Sequence, residues 1–190
     1  MSSLTEFQRK KILNLFENLY DTNRDGTIEK ADFEEALQKI AKLHNWAPTD
    51  PAFLKEQDRI NRIWAGLQSR ADKDNDGTIS KEEWARMWEE NIKEIAQGQT
   101  FPPWQQDYLE FMFFANDTSD DGFIDREEYT AIYKLFGFAG DDINFCFDKI
   151  SEGVPDRKLS KADFEQLWRE YFTSVDENAR GNYLFGRQKQ

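Results

Sequence analysis

Residues 72–83 carry oxygen-bearing side chains at regular spacing. Asp72, Asp74 and Asp76 alternate along this segment, a glycine follows the third aspartate, and Glu83 ends it. Calcium takes six to eight oxygen ligands at ~2.3–2.6 Å, and a twelve-residue loop can supply them from positions 1, 3, 5, 7, 9 and 12. The glycine at position 6 provides the sharp turn that such a loop needs. This spacing therefore predicts a calcium site.

The segment satisfies the full EF-hand signature, D-x-[DN]-x-[DN]-G-x₅-E. Its predicted ligands are Asp72, Asp74, Asp76, the carbonyl of Thr78, Ser80 through a water, and Glu83. Residues 117–128 repeat the signature with serine, a weaker oxygen donor, at position 3. The predicted ligands there are Asp117, Ser119, Asp121, the carbonyl of Phe123, Asp125 and Glu128. We predict Ca²⁺ binding at both segments.

Residues 21–32 form a third such segment, which ends in aspartate instead of glutamate. Its predicted ligands are Asp21, Asn23, Asp25, the carbonyl of Thr27, Glu29 and Asp32. The side chain of Asp32 is one methylene shorter than glutamate, so it reaches the ion with both oxygens less easily. A smaller coordination shell suits Mg²⁺, which prefers six ligands at ~2.0–2.1 Å. We therefore predict Ca²⁺ binding with competition from Mg²⁺ in this loop.

A fourth segment, residues 152–163, has lost the pattern. An apolar residue, Leu159, stands at position 8, but Val154 replaces the ligand at position 3 and Arg157 replaces the glycine at position 6. A cation in the turn and an apolar group in place of a ligand should abolish metal binding. We predict a structural loop without an ion. In chain order the four segments are called the first, second, third and fourth loops.

Position 8 predicts how the loops pair. Ile28, Ile79 and Ile124 each follow the loop glycine by two residues, and Leu159 stands at the corresponding place in the fourth loop. Neighbouring loops of this type join through these residues by a short two-stranded ladder. We therefore expect the first loop to pair with the second, and the third with the fourth.

Apolar residues recur at helical spacing on both sides of every loop. Ser3 with Glu6, and Ser80 with Glu83, predict capping boxes at the starts of two helices. The pattern predicts an all-α, compact fold of four EF-hand units in two paired lobes, with short two-residue β ladders between paired loops. The predicted boundaries are residues 1–98 for the first lobe, 99–175 for the second, and 176–190 for a C-terminal tail packing on the core.

The composition restricts the partners. Among 190 residues, 37 carboxylates outnumber 25 bases and give a net charge of −12. This charge argues against nucleic acids and anionic membranes as partners and favours cations. The 16 Phe, 6 Trp and 6 Tyr residues supply apolar area for a core, which argues against a disordered acidic chain.

The single cysteine, Cys146, excludes an internal disulfide and favours a reducing compartment. The N-terminal residues lack a basic segment followed by an apolar run, and no stretch approaches the ~20 apolar residues of a membrane span. We therefore expect a cytoplasmic protein, a monomer without constitutive membrane insertion. No nucleophile stands beside a base in the sequence, so we predict no catalysis.

Several segments beyond the loops are distinctive. They are FQRKKIL at 7–13, KEEW at 81–84 with MW at 87–88, FMF at 111–113, NDTS at 116–119, LWREYF at 167–172 and GNYLFG at 181–186. Through them the chain resembles the invertebrate sarcoplasmic calcium-binding proteins, and the calexcitin group in particular. The resemblance implies three active sites, a silent fourth, and a cytoplasmic calcium sensor or buffer of nerve or muscle. It also implies a protein target such as an ion channel. Binding of GTP, also linked to that group, is not expected because the phosphate-binding G-x-x-x-x-G-K-[ST] loop is absent.

The sequence leaves two alternatives open. The first is whether the protein is a calcium sensor or a calcium buffer. A sensor opens a groove for a target helix, and such grooves are often lined by methionines, whereas this chain has three Met in all. The tail residues Tyr183, Leu184 and Phe185 could fill such a groove, which would favour a buffer. The other alternative is a Ca²⁺-triggered luciferin-binding protein or photoprotein, which shares the four-loop plan. That function needs several histidines beside Tyr and Trp, and His44 is the only one; packing at a helix end is its simpler interpretation.

Overall fold

The computed structural model describes residues 4–187, and nearly all of its regular secondary structure is helical. The α helices are α1 Glu6–Leu15, α2 Lys30–His44, α3 Pro51–Ala71, α4 Lys81–Ala96, α5 Pro103–Asn116, α6 Arg126–Leu135, α7 Gly140–Ile150 and α8 Lys161–Thr173. A π-helical turn, Phe16–Tyr20, extends α1, and 3₁₀ turns lie at Pro155–Arg157 and Arg180–Tyr183. The strands are β1 Phe123–Ile124 and β2 Leu159–Ser160. The predicted all-α class is confirmed.

The loops pair as predicted. Ile28 and Ile79 form an isolated antiparallel bridge, with both N–H···O distances at 2.9 Å. In the other pair, β1 and β2 are antiparallel and Ile124 faces Leu159. All four of these side chains are fully buried, so each pair of loops is fastened to the core at its centre. The first pair is a single bridge, shorter than the expected two-residue ladder.

Capping interactions fix where the helices begin. The predicted box between Ser80 and Glu83 is present at the start of α4. At α1 the box is formed by Thr5 and Gln8, so the prediction of Glu6 as the capping partner is wrong. Ser3, the other residue of that prediction, lies outside the described residues. Further along the same helix, Ile12 and Leu15 are buried in the core.

One aromatic core includes residues of both halves of the chain. The ring centroids of Tyr20 and Tyr108 are 4.6 Å apart, and those of Tyr108 and Trp168 are 5.8 Å apart. The longest helix, α3, packs closely on α5, where a Cβ added at Gly66 would lie 2.7 Å from the Cβ of Trp104. Side chains from both halves of the chain therefore pack in a single hydrophobic core.

The tail returns to the core through its apolar residues. Leu184 and Phe185 are buried, and the Phe185 ring lies 4.8 Å from the ring of Tyr171. The hydroxyl of Tyr129 donates a hydrogen bond to the carbonyl of Leu184 at 3.0 Å. None of the helices within residues 4–187 is both long enough and apolar enough to span a membrane.

Lys11 joins α1 to the tail, and the burial of its ammonium group can be tested. Its Nζ donates to Asn182 Oδ1 at 2.9 Å and to the Ser174 carbonyl at 3.0 Å, and the residue is 1% exposed. Burial lowers the pKa of Lys11 to about 8. The unfolded chain holds this proton up to a pH near 10.5. Between these values the unfolded state therefore binds more protons, and the free energy of unfolding should rise with pH.

We expect wild type to gain about 2 kcal/mol relative to Lys11→Met between pH 7.5 and 9.5. Urea unfolding of both proteins in saturating Ca²⁺ measures this difference. Lys10→Met, which removes an exposed lysine next in the chain, is the matched control and should show no such gain. A stability difference between wild type and Lys11→Met that does not change with pH would contradict the prediction.

Candidate metal centres

Position 1 of each of the first three loops is held by the end of a helix. Asp21, Asp72 and Asp117 directly follow the helical turns that lead into the loops, and all three are buried. The backbone N–H groups of these aspartates still bond helix carbonyls, at distances of 2.9 to 3.0 Å. One carboxylate of each site is therefore fixed by a rigid element.

The turn at position 6 is coupled to this carboxylate. The N–H groups of Gly26, Gly77 and Gly122 donate to Oδ2 of the position 1 aspartate at 3.0 to 3.2 Å. All three glycines have φ between 82° and 94°, a conformation that other residues rarely adopt. The sequence signature did not reveal that position 4 also has positive φ. Arg24, Asn75 and Asp120 occupy it.

The carboxylate at position 12 joins the two ends of its loop. In the second loop, the N–H of Lys73 donates to Glu83 Oε1 at 2.9 Å and the N–H of Ser80 donates to Oε2 at 3.0 Å. In the third loop, the N–H groups of Ser119 and Asp125 donate to Oε1 and Oε2 of Glu128. Burial acts to raise the pKa of Glu83, but these hydrogen bonds outweigh it and hold the pKa below the usual value. The anionic form that a cation needs is therefore favoured.

Asp32 engages the equivalent backbone groups despite its shorter side chain. Thr22 and Asn23 donate to Oδ1 at 2.8 and 3.2 Å, and Glu29 donates to Oδ2 at 2.8 Å. Asp32 is 1% exposed, deeper than Glu128 in the third loop. Burial raises the pKa of Asp32 and the neighbouring Asp21 adds to this, although the three hydrogen bonds oppose it. The backbone N–H groups at both ends of the loop thus reach the carboxylate of Asp32 although its side chain is shorter than that of glutamate.

The second loop provides the clearest fit to a cation. Asp72, Asp74 and Asp76 each place one carboxylate oxygen within 4.8 Å of the others, the only such acidic group among residues 4–187. Within that part of the chain, the buried Oδ1 of Asp72 has no hydrogen-bond donor. A buried carboxylate oxygen without a donor is costly unless a positive charge meets it. The arrangement therefore fits a divalent cation.

The first and third loops replace one carboxylate by a neutral group. Asn23 donates its amide to Asp25 at 2.9 Å, so these two predicted ligands already touch. Ser119 lies at position 3 of the third loop, where Asp117 and Asp121 remain as carboxylates. Burial raises the pKa of Asp117, and repulsion from other carboxylates of the loop adds to this effect. Among residues 4–187, only the second loop brings three carboxylate oxygens within 4.8 Å of one another.

The fourth loop is longer than the sequence register indicated. In the first three loops, position 1 is the residue that caps the end of the incoming helix, and here that residue is Ser151 rather than Glu152. Ser151 is buried, and its hydroxyl donates to the Phe147 carbonyl at 2.7 Å instead of turning toward the loop. Gly153, Asp156 and Arg157 of this loop all have positive φ. The loop thus has an inserted residue as well as unsuitable side chains.

Comparisons with known proteins place this geometry in a family. The EF-hand domain pair family matches residues 9–89, which include the first two loops. The sarcoplasmic calcium-binding proteins I, III and IV of Branchiostoma lanceolatum are 30% identical over 185 residues, covering 97% of this chain and 99% of the relative. The chain belongs to the sarcoplasmic calcium-binding protein family. The resemblance inferred from the sequence is thereby confirmed.

Other members and neighbours agree with this family. Calexcitin-1 of Caenorhabditis elegans is 28% identical over 188 residues, covering 97% of this chain and 89% of the relative. The structure of a sarcoplasmic calcium-binding protein from amphioxus superimposes with a TM-score of 0.81 at 28% identity, covering 98% of this chain and all of the other. A coelenterazine-binding protein from Renilla muelleri shares the fold at a TM-score of 0.69 and 19% identity, over 96% and 99% of the two chains.

Proposed function

We propose that this sarcoplasmic calcium-binding protein binds three Ca²⁺ ions, at its first three loops, and acts in the cytoplasm as a calcium buffer. The observation that carries the proposal is the cluster of carboxylate oxygens from Asp72, Asp74 and Asp76, in which the buried Oδ1 of Asp72 has no hydrogen-bond donor among residues 4–187. The same backbone scaffold around positions 1, 6 and 12 recurs in the other two loops. Three divalent cations would halve the formal charge of −12.

Native mass spectrometry in saturating calcium tests the number of sites. We expect three Ca²⁺ per chain, and a large rise in melting temperature over the metal-free protein because an ion that binds only the folded state stabilises it. Ligand at 1,000 times its Kd adds about 4 kcal/mol per site. Retention of at most one ion would overturn the proposal.

The filled interior favours a buffer over a sensor. Phe185 of the tail lies among Trp168, Tyr171 and Phe172, with ring centroids 4.8 to 6.3 Å away, and therefore occupies the apolar surface that a target helix would need. Large buried aromatic residues make a fixed core, in contrast to the adaptable surface that methionines provide. Calcium titration with an apolar dye discriminates the two roles. A buffer should bind little dye at any calcium concentration, whereas strong dye binding on addition of Ca²⁺ would indicate a sensor.

The luciferin-binding alternative shares the fold but lacks support from the core. Photoprotein chemistry would need several histidines, and His44 stacks on Trp46 at 4.4 Å at the end of α2. Its Nε2 lies 3.0 Å from the Ala115 carbonyl, so the ring serves to join α2 to α5. Side chains of Trp84, Trp88 and other aromatic residues fill the interior. No second function is proposed.

Asp32→Glu tests the Mg²⁺ competition at the first loop. A longer carboxylate restores a two-oxygen ligand, so we expect the preference for Ca²⁺ over Mg²⁺ at this site to rise about tenfold. Calorimetric Ca²⁺ titrations with and without Mg²⁺ measure it. Asp163→Glu makes the same change at position 12 of the fourth loop and should alter neither titration. Unchanged selectivity in Asp32→Glu would remove the basis for Mg²⁺ competition.

A further inference from the structure

The position 5 carboxylate has a neutral partner in the first two loops. Thr27 Oγ1 donates to Asp25 Oδ1 at 2.8 Å, and Thr78 Oγ1 donates to Asp76 Oδ1 at 2.9 Å. In both loops the donor stands at position 7 of the same loop. A hydroxyl orients the carboxylate and adds no charge that would oppose a cation.

The third loop obtains this donor from elsewhere. Its position 7 residue is Phe123, which has no hydroxyl and whose side chain is 42% exposed. Lys158 of the fourth loop supplies the donor instead, with Nζ 2.8 Å from Asp121 Oδ2. Lys158 directly precedes Leu159, which pairs with Ile124, so the β ladder holds the ammonium group beside the third loop. A predicted metal ligand is thus paired with a cation from the loop that has lost its own site.

The neighbouring cation of the fourth loop is held away from these ligands. Arg157 pairs with Asp148 of α7 at 2.9 Å, and Arg126 pairs with the same oxygen at 2.6 Å. Of the two consecutive bases in the fourth loop, Lys158 is therefore the one in contact with a predicted ligand.

We propose that Lys158 lowers the Ca²⁺ affinity of the third loop through its pairing with Asp121. The inference rests on the proposed function, since it assumes a metal in each loop. An ammonium group paired with a ligand carboxylate repels the arriving divalent ion, and that repulsion is absent where a threonine hydroxyl is the donor. Because the pair is exposed, solvent and salt reduce the effect, and we expect about a fivefold change in affinity.

Amide NMR can follow each loop separately. The N–H groups of Gly26, Gly77 and Gly122 donate to the position 1 carboxylates, so each should shift when an ion polarises its acceptor. A calcium titration buffered with a chelator, on the full chain without Mg²⁺, gives a midpoint for each glycine. In Lys158→Met the Gly122 midpoint should move to about fivefold lower free Ca²⁺ than in wild type, with the other two midpoints unchanged.

Three control variants separate this contact from a general charge effect. Lys158→Arg keeps the cation and should keep the wild-type midpoint. Lys93→Met removes a lysine paired with Glu89, and Lys161→Met removes one paired with Glu110, which is not a predicted ligand. Neither should move Gly122 by as much as Lys158→Met does.

Three outcomes would overturn the inference. The first is a Gly122 midpoint in Lys158→Met that equals the wild-type value, and the second is an equal shift in Lys93→Met or Lys161→Met. In both of these cases the proposal of three sites still stands. The third outcome is a Gly122 amide that never responds to calcium in any variant, which would overturn the third site and the inference together. Lys158→Gln removes the same charge with a polar side chain and should shift the Gly122 midpoint as Lys158→Met does.

Discussion

Glu83→Gln should weaken Ca²⁺ binding at the second loop by about 100-fold or more and leave the other two sites occupied. Glu83 is predicted to supply two of the oxygens and the charge that complete the densest of the three sites. A glutamine offers a single neutral oxygen. A 100-fold loss corresponds to about 2.7 kcal/mol, well above the effect of an ordinary surface substitution.

The loss of Ca²⁺ binding in Glu83→Gln is not expected to come from misfolding. Glu83 is also the third residue of α4 and completes the capping box with Ser80. Glutamine is an accepted residue at that place in a capping box, so Glu83→Gln removes the charge while α4 keeps its N-terminus. The metal-free variant should therefore unfold close to the metal-free wild type.

Calorimetry and native mass spectrometry measure the prediction. At a calcium concentration that saturates the wild type, Glu83→Gln should retain two ions and lose the stabilisation from the third. Glu82→Gln removes the same charge from the adjacent exposed residue and should retain all three. Three tightly bound ions in Glu83→Gln would show that the ligand set of the second loop was assigned wrongly.

The sequence predicted the fold well because the residues that define an EF-hand loop lie close together in the chain. Ligands, glycine and the position 8 residue lie within twelve residues, so spacing alone indicated the pairing of Ile124 with Leu159 that the structure contains. The contacts that the sequence did not reveal join distant segments. Lys11 and Asn182 are 171 positions apart, and no pattern in either segment indicates that they meet. The insertion at Ser151 was also missed, since a degenerate loop has no ligands to fix its register.

The fourth loop shows which parts of the motif serve folding and which serve metal. It keeps Leu159 at the ladder and a capping box between Ser160 and Asp163 at the start of α8. It has lost the ligand at position 3 and the glycine turn. Position 12 therefore has a role in helix capping that does not depend on an ion. The carboxylate of Asp163 is thus used in the folded chain although we propose no metal for this loop.

Gly181→Ala is expected to detach the C-terminal tail from α8. A Cβ at this position would lie 2.4 Å from Glu170 Cβ, 2.5 Å from the Leu167 carbonyl oxygen and 2.8 Å from the Tyr171 nitrogen. Two of these atoms belong to the backbone of α8 and cannot move aside without breaking the helix. The tail must lift instead, which exposes Leu184 and Phe185.

Burying a leucine or phenylalanine side chain contributes about 1.5–3 kcal/mol, so Gly181→Ala should lower the free energy of unfolding by about 3 kcal/mol or more. Urea unfolding in saturating Ca²⁺ measures this loss. Gly140→Ala is the matched control, because the nearest atom to its added Cβ is 3.9 Å away at the flexible end of Lys134. That variant should unfold like the wild type, and equal stability of all three proteins would contradict tight docking of the tail.

The same variant bears on buffering. If the tail covers the surface that a target helix would need, Gly181→Ala should bind an apolar dye even without calcium, and the wild type should not. The variant then sets the scale for any dye binding that Ca²⁺ induces in the wild type. A calcium-induced signal that approaches it would mean that the ion itself releases Phe185, and the protein would then be a sensor whose tail competes with its target.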